Sequence, residues 1–279
     1  MAGSDLSRIR SNIQGLNILS TLRDVNQQVA THQLRLGTGK RINSAGDDPA
    51  GLSISNKLDA RNRILQAVFD NIGQAKNMLA VGEGGLLSIN DILVGMGEKI
   101  VTAANDSLGT EERQAISQEL VQMVQEINDI ATQTNFNGVS MLNSNGSLKF
   151  QTAEGDQTEY TLSSFTPTAL TMSNLASLTE TSVIDSSNYQ GYLDEVNGAI
   201  QNVNGGLTTV GSLINRLTLK ENNISIAQTN TEAAFSRIRN ADMAKEQLEL
   251  TKAQILQQTS TAMLAQANLN GQSILTLFR

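Results

Sequence analysis

The chain has 279 residues, 39% hydrophobic but only 3% aromatic, with no tryptophan, no cysteine and a net charge of −7. Leu, Ile, Val, Met and Ala must therefore do nearly all the packing, which disfavours a thick globular core and suits extended helical packing. The acidic balance excludes a broad attraction to nucleic-acid phosphates, and the missing cysteine excludes disulfides, thiolate metal sites and thiol nucleophiles.

Charge is uneven along the chain: residues 1–45 carry +4, residues 236–279 carry +2 and the middle carries −13. Such a split predicts that the two ends share an environment from which the acidic middle is kept apart. The start, Met1 to Arg8, lacks the basic-then-apolar layout of a secretory signal, and no run of about 18 apolar residues is present, so neither that export route nor membrane insertion is expected. Leu6, Ile9, Ile13 and Leu16 form a helical stripe, and Ile18, Leu22, Val25, Val29, His32 and Leu36 continue it after a phase shift.

Asp48-Pro49 predicts the start of a long helix, with a capping carboxylate before a proline whose missing N–H costs nothing in the first turn. Asp47 adds favourable negative charge at that end. From Leu58 through Leu65, Ile72, Leu79, Leu86, Leu93 and Ile100 to Ala103, apolar residues recur in unbroken steps of three and four. That is a heptad repeat predicting coiled-coil-like packing over roughly 70 Å, with a bend expected where Gly82, Gly84 and Gly85 lower helix propensity.

A shorter helix is predicted from Thr110, capped by its hydroxyl, with Ile116, Leu120, Met123, Ile127 and Ile130 as its stripe. Asn135-Phe136-Asn137-Gly138 ends it in a turn that tolerates left-handed backbone. From about 143 to 190 the composition turns to Ser, Thr and Asn, and alternation about Glu154-Gly155-Asp156 predicts a β-hairpin within an otherwise polar connection. A second long helix then runs through Leu193, Val196, Ile200, Val203, Leu207, Val210, Ile214 and Leu217, able to return alongside the first in an antiparallel bundle. The last helix carries a narrow seam of Ala244, Leu248, Thr251, Ile255, Gln258, Ala262, Ala265 and Leu269. The terminal helices are too polar for the chain's own core, so their seams are expected to meet each other and neighbouring copies. The fold class is mainly α: an elongated antiparallel helical bundle with a small β-hairpin region. Its domains are residues 1–45 with 236–279, and residues 46–235.

Little in the chain supports chemistry. His32 is the sole histidine, which rules out a His-based metal cluster, and its place on the apolar stripe reads as a seam position. Gly39-Lys40 lacks both the preceding glycine and the following Ser or Thr of a phosphate-binding loop. Carboxylate pairs such as Glu111/Glu112 read as solvated helix faces rather than acid–base machinery. No catalytic, cofactor or metal site is expected.

The stretch from Leu36 to Ser55, LGTGKRINSAGDDPAGLSIS, resembles the N-terminal signature of bacterial flagellins. Gln133-Thr-Asn-Phe-Asn-Gly-Val139 resembles the turn after the third helix of that family, and Ser236–Asp242, Leu250–Gln258, Ala262–Asn268 and Ser273–Arg279 resemble its C-terminal region. The resemblance covers nearly the whole chain except about 143–190, as in a short flagellin. It implies a structural, non-enzymatic subunit of the extracellular flagellar filament, exported unfolded through the flagellar type III channel and polymerising for motility. The paired termini would line the inner layer and the central helices the next. Assembly contacts are then expected at Leu6, Ile9, Ile13, Leu16, Leu22, Val25, Val29, Leu36, Leu248, Ile255, Ala262, Leu269, Leu275, Leu277 and Phe278. Other implied partners are an export chaperone at the last turn, the filament cap and junction proteins. A hook–filament junction protein would share this helical core and stands as the alternative. The resemblance also implies a receptor-recognised patch of arginine, leucine and glutamate on the long helix and its neighbour. Here Gly95 and Lys99 stand at the first two positions and only Glu119 keeps the pattern.

Overall fold

A computed structural model of the chain describes residues 12–153, 155–179 and 182–277, with side chains as far as residue 269. The elements run α1 (Ile13–Thr38), α2 (Pro49–Ala103), α3 (Thr110–Gln133), β1 (Asn135–Phe136), β2 (Val139–Ser140), β3 (Gly146–Ala153), β4 (Asp156–Leu162), α4 (Ser173–Ala176), α5 (Tyr189–Arg239) and α6 (Met243–Leu277). The fold is mainly helical, α2 packing antiparallel to α5 and α1 to α6, beside small two-stranded sheets. Contacts group the chain into two compact units, Arg63–Thr229 and Met1–Asn62 with Asn230–Arg279.

In the Arg63–Thr229 unit the heptad stripe of α2 is the spine of the core. Ile72, Leu79, Leu86, Ile89, Leu93, Met96 and Ile100 are fully buried, against Leu120 and Ile127 of α3 and Val196, Val203, Val210 and Leu217 of α5. Over one 18-residue stretch α2 reaches a mean hydropathy of 1.3, enough to cross a membrane by composition. A third of that stretch is buried within the chain. The helix runs unbroken through Gly82, Gly84 and Gly85. At Gly85 the reason for glycine is space, since a Cβ there would stand 2.6 Å from Leu142 Cδ1 and 2.9 Å from Thr134 Oγ1.

The start of α2 follows its sequence. Asp48 Oδ1 accepts the Gly51 amide at 2.9 Å, and Pro49 takes the first helical position. Asp47 also closes the preceding loop, its Oδ2 accepting the amides of Ser44 at 2.8 Å and Asn43 at 3.0 Å. Those amide bonds, Ser44's first, hold its carboxyl below the usual aspartate range. The start of α3 differs from expectation. Gly109 is the capping residue, with no side-chain cap, and Thr110 already lies inside the helix. The buried face of α3 is Ser117, Leu120, Val124, Ile127 and Ala131, part of a turn round from the stripe read in the sequence, whose Ile116, Met123 and Ile130 pack at its edge.

Asn137 and Gly138 adopt φ of 50° and 82° between β1 and β2, both left-handed as their identities predict. In the longer hairpin Leu148 pairs with Tyr160 and Phe150 with Thr158. The buried hydroxyls of Thr152 and Thr158 lie 2.9 Å apart, and the Lys220 ammonium of α5 donates to Thr152 Oγ1 at 2.8 Å and to Asp156 Oδ2 at 2.6 Å. That ammonium, through its hydrogen bond and then its charge, lowers the Asp156 carboxyl below its ordinary value. The connection after β4 is not the polar spacer its composition suggests. Phe165, Leu170, Met172, Leu175, Leu178 and Ile184 are all buried, spaced too irregularly to register as a helix or strand. Phe165 reaches α5 where Gly206 leaves room, its Cζ 2.6 Å from where a Cβ would stand.

Two outcomes follow. Gly206→Ala should destabilise the chain by about 1 kcal/mol or more through overpacking, whereas Gly84→Ala, with nothing within 4 Å of its added Cβ, should stabilise it by about 0.5–1 kcal/mol, both read from urea unfolding. A carboxyl with a lowered folded value contributes stability above its unfolded value and loses it as pH falls through the folded one. Protection of the Gly146–Leu162 amides, taken relative to intrinsic exchange at each pH, should thus fall below about pH 4, and Asp156→Asn should already show the lower protection at neutral pH.

Candidate assembly interface

The terminal helices are set by local signals at each end. Asn12 accepts the Gly15 amide at 2.8 Å to start α1, which ends where Gly39, at φ 68°, donates its amide to Arg35 O at 2.8 Å. Asp242 opens α6 by accepting the amides of Ala244 and Lys245 at 3.0 and 3.1 Å. The two links are tied together: Lys40 and Asn240 form a β-bridge, with Arg41 N donating to Arg239 O at 2.7 Å and Ala241 N to Gly39 O at 2.9 Å. α1 and α6 thus leave the same joint as a pair.

Along that pair α1 presents Gly15, Leu22, Val25, Val29 and His32 inward, and α6 presents Glu246, Leu250, Ala253, Gln257, Leu264 and Ala267. Polar side chains punctuate the seam. His32 Nδ1 lies 2.5 Å from Glu246 Oε2, and Arg35 donates to Glu246 Oε1 at 3.3 Å. Gln257 Nε2 donates to Asn26 Oδ1 at 2.7 Å, and Asn12 Nδ2 to Ala267 O at 3.2 Å.

The α6 row read from the sequence is a different one. Leu248, Ile255 and Leu269 are 64%, 58% and 56% exposed, and Ala262 is exposed beside them. With Ala244, Thr251 and Leu256, the Leu248–Ile255 part of this row forms an open apolar face edged by Gln247 and Lys252. On α1, Ile13 and Leu16 are also mostly exposed, while Val25 is buried and Leu22, Val29 and Leu36 are half-buried. Leu6, Ile9 and Phe278 lie outside the described residues, as do the side chains of Leu275 and Leu277, whose backbone completes α6. Sequence reasoning missed Glu246 altogether. The signal was the lone histidine on an apolar stripe, which needs a polar partner.

In the second patch, Lys99 Nζ meets Glu119 Oε2 at 2.8 Å, both side chains about two-fifths exposed, and links α2 to α3. Gly95 has open surroundings, the nearest atom to an added Cβ being Met123 Cε at 3.9 Å, so packing does not demand glycine there.

Residues 9–147 match the family described as the bacterial flagellin N-terminal helical region, and residues 193–278 match its C-terminal helical region. The chain is 33% identical to the flagellin of Bacillus subtilis, over 98% of this chain and all of that one. It is 32% identical to the flagellar filament 33 kDa core protein of Treponema phagedenis, over 97% and 99% of the two chains. Among solved structures, a putative flagellar hook-associated protein from Vibrio parahaemolyticus shares the fold with a TM-score of 0.59 at 16% identity, over 70% of this chain and all of that one.

Proposed function

Because the chain belongs to the bacterial flagellin family, and so is a structural, non-enzymatic subunit of the flagellar filament that polymerises with itself, we propose that neighbouring copies meet on the outward row of α6. One observation supports this above the others: Leu248, Ile255 and Leu269 form a second aliphatic row on α6 that is more than half exposed, while Leu250 and Leu264 face α1. Ile13 and Leu16 extend the apolar surface on α1. Leu22, Val25, Val29 and Leu36 hold the pair together from within, and Ala262 supplies a small surface for close approach. Leu6, Ile9, Leu275, Leu277 and Phe278 join the interface on the strength of the family resemblance.

In this reading residues 1–45 and 236–279 form the inner domain, and residues 46–235 form the surrounding one. The subunit travels unfolded through the flagellar type III channel and folds at the growing end. An export chaperone covers the last turn of the chain until then, and the filament cap and the junction proteins are its other contacts. The thin, polar-inlaid pairing of α1 with α6 suits a segment that completes its burial only among copies, since anything that binds the folded form stabilises it.

Leu248→Ser with Ile255→Ser should leave urea unfolding of the soluble chain within about 0.5 kcal/mol, as both side chains are already exposed, yet abolish sedimentable filaments. Deletion of residues 256–279 should do the same and weaken chaperone binding. Filament growth at the normal rate by either variant overturns the assignment.

The Gly95/Lys99/Glu119 patch carries a separate proposal. Lys99 occupies the Glu119 carboxylate and replaces an apolar contact by a charge, and Gly95 supplies no arginine anchor. A receptor of animal innate immunity that reads the full family patch should respond weakly to this chain. Gly95→Arg with Lys99→Leu should raise the response roughly tenfold or more in a reporter-cell assay.

A further inference from the structure

α6 carries two rows of residues with coiled-coil spacing, both bearing large aliphatic side chains, so hydrophobic burial alone does not choose the row that meets α1. Turning Leu248, Ile255, Ala262 and Leu269 onto α1 would bury three large aliphatic side chains that are now more than half exposed. The row that does meet α1 sets Leu250 and Leu264 among Ala253, Ala267 and the polar Glu246 and Gln257. Glu246 is only 9% exposed, and both of its oxygens are engaged, Oε2 with His32 Nδ1 and Oε1 with Arg35. A carboxylate this buried is costly unless both oxygens find partners, and His32 and Arg35 offer those partners on one face of α1. Rotating α6 to seat its apolar row would separate Glu246 from both. A single polar group at a seam position is known to fix register and facing in helix pairs at the expense of burial.

We propose that Glu246, held by His32 and Arg35, selects which face of α6 pairs with α1 and so keeps the Leu248–Leu269 row free for a second copy of the chain. The selector is a positioning device that acts through the orientation of α6. Gln257 on Asn26 and Asn12 on Ala267 O reinforce the same facing at intervals along the pair. The second half of the proposal rests on the reading of that row as the assembly surface.

The chain has no cysteine, so introduced thiols are the only ones present. Asn26→Cys with Gln257→Cys reports the facing described here, and Asn26→Cys with Gln258→Cys reports a helix turned towards its apolar row. Both pairs are oxidised in the polymer and, for a variant that does not polymerise, in the soluble chain. The 26–257 crosslink should dominate in the parent. Glu246→Leu should transfer yield to the 26–258 crosslink and lower sedimentable polymer roughly tenfold, and the size-matched Glu246→Gln should shift the crosslink ratio in the same direction. Exchanging the pair, His32→Glu with Glu246→His, should restore both readouts, which a merely space-filling role would not. An undiminished 26–257 crosslink in Glu246→Leu overturns the selector, as does a loss that the exchange fails to repair. Crosslinks that shift while polymer yield holds overturn the assembly role of the row instead, so the two failures are distinct.

Discussion

A helix that packs on one or two neighbours buries a stripe only about 100° wide, and in this chain that limit governs everything because so few side chains are aromatic. No Trp and few Phe or Tyr are available to reach across a wide interface, so each helix must commit one row of aliphatic residues and leave the rest of its surface to solvent or to other copies. In the Arg63–Thr229 unit the commitment is unambiguous. α2 offers Ile72 to Ile100 without interruption, and α3, α5, the hairpin and the Phe165–Ile184 connection converge on it. Glycine at 85 and 206 lets neighbouring side chains sit directly on helix backbone, so the core closes without bulky residues.

The terminal pair solves the same problem differently. Its seam alternates aliphatic contacts at Val25 and Leu250 with polar ones at His32, Glu246, Asn26 and Gln257. Such a seam gives up burial for a defined facing. The apolar area that it forgoes appears on the outside of α6, in line with a subunit whose packing is completed by other subunits. A filament protein needs this division of labour, since a monomer that buried every apolar row would have nothing left to polymerise with.

Family membership and local geometry meet at particular residues. The Asp48-Pro49 cap, the left-handed Asn137-Gly138 turn and the Lys40–Asn240 bridge all fall within or beside stretches through which the chain resembles flagellins. Each of them fixes where a helix starts, reverses or hands over to the next. The region that departs most, about 143–190, is fastened by long-range contacts: Lys220 on Thr152 and Asp156, and the Glu195 carboxylate accepting the amides of Asn174 and Leu175 at the start of α4.

The sequence by itself determined the long helices, the turns between them and the presence of the long hairpin, because three-four periodicity, caps and turn residues act within a few positions along the chain, whereas the pairing of Leu148 with Tyr160 and the bulge between Gln151 and Ala153 came only with the structure. It also determined the family, through motifs long enough to be specific. Tertiary structure alone decided that the polar-looking connection after β4 packs through Phe165, Leu170 and Met172, and which row of α6 faces α1. In each case the deciding partner is distant in sequence. A periodic pattern ranks faces by how apolar they are, and it has no means of knowing that His32 and Arg35 stand ready to take a buried carboxylate more than two hundred residues away.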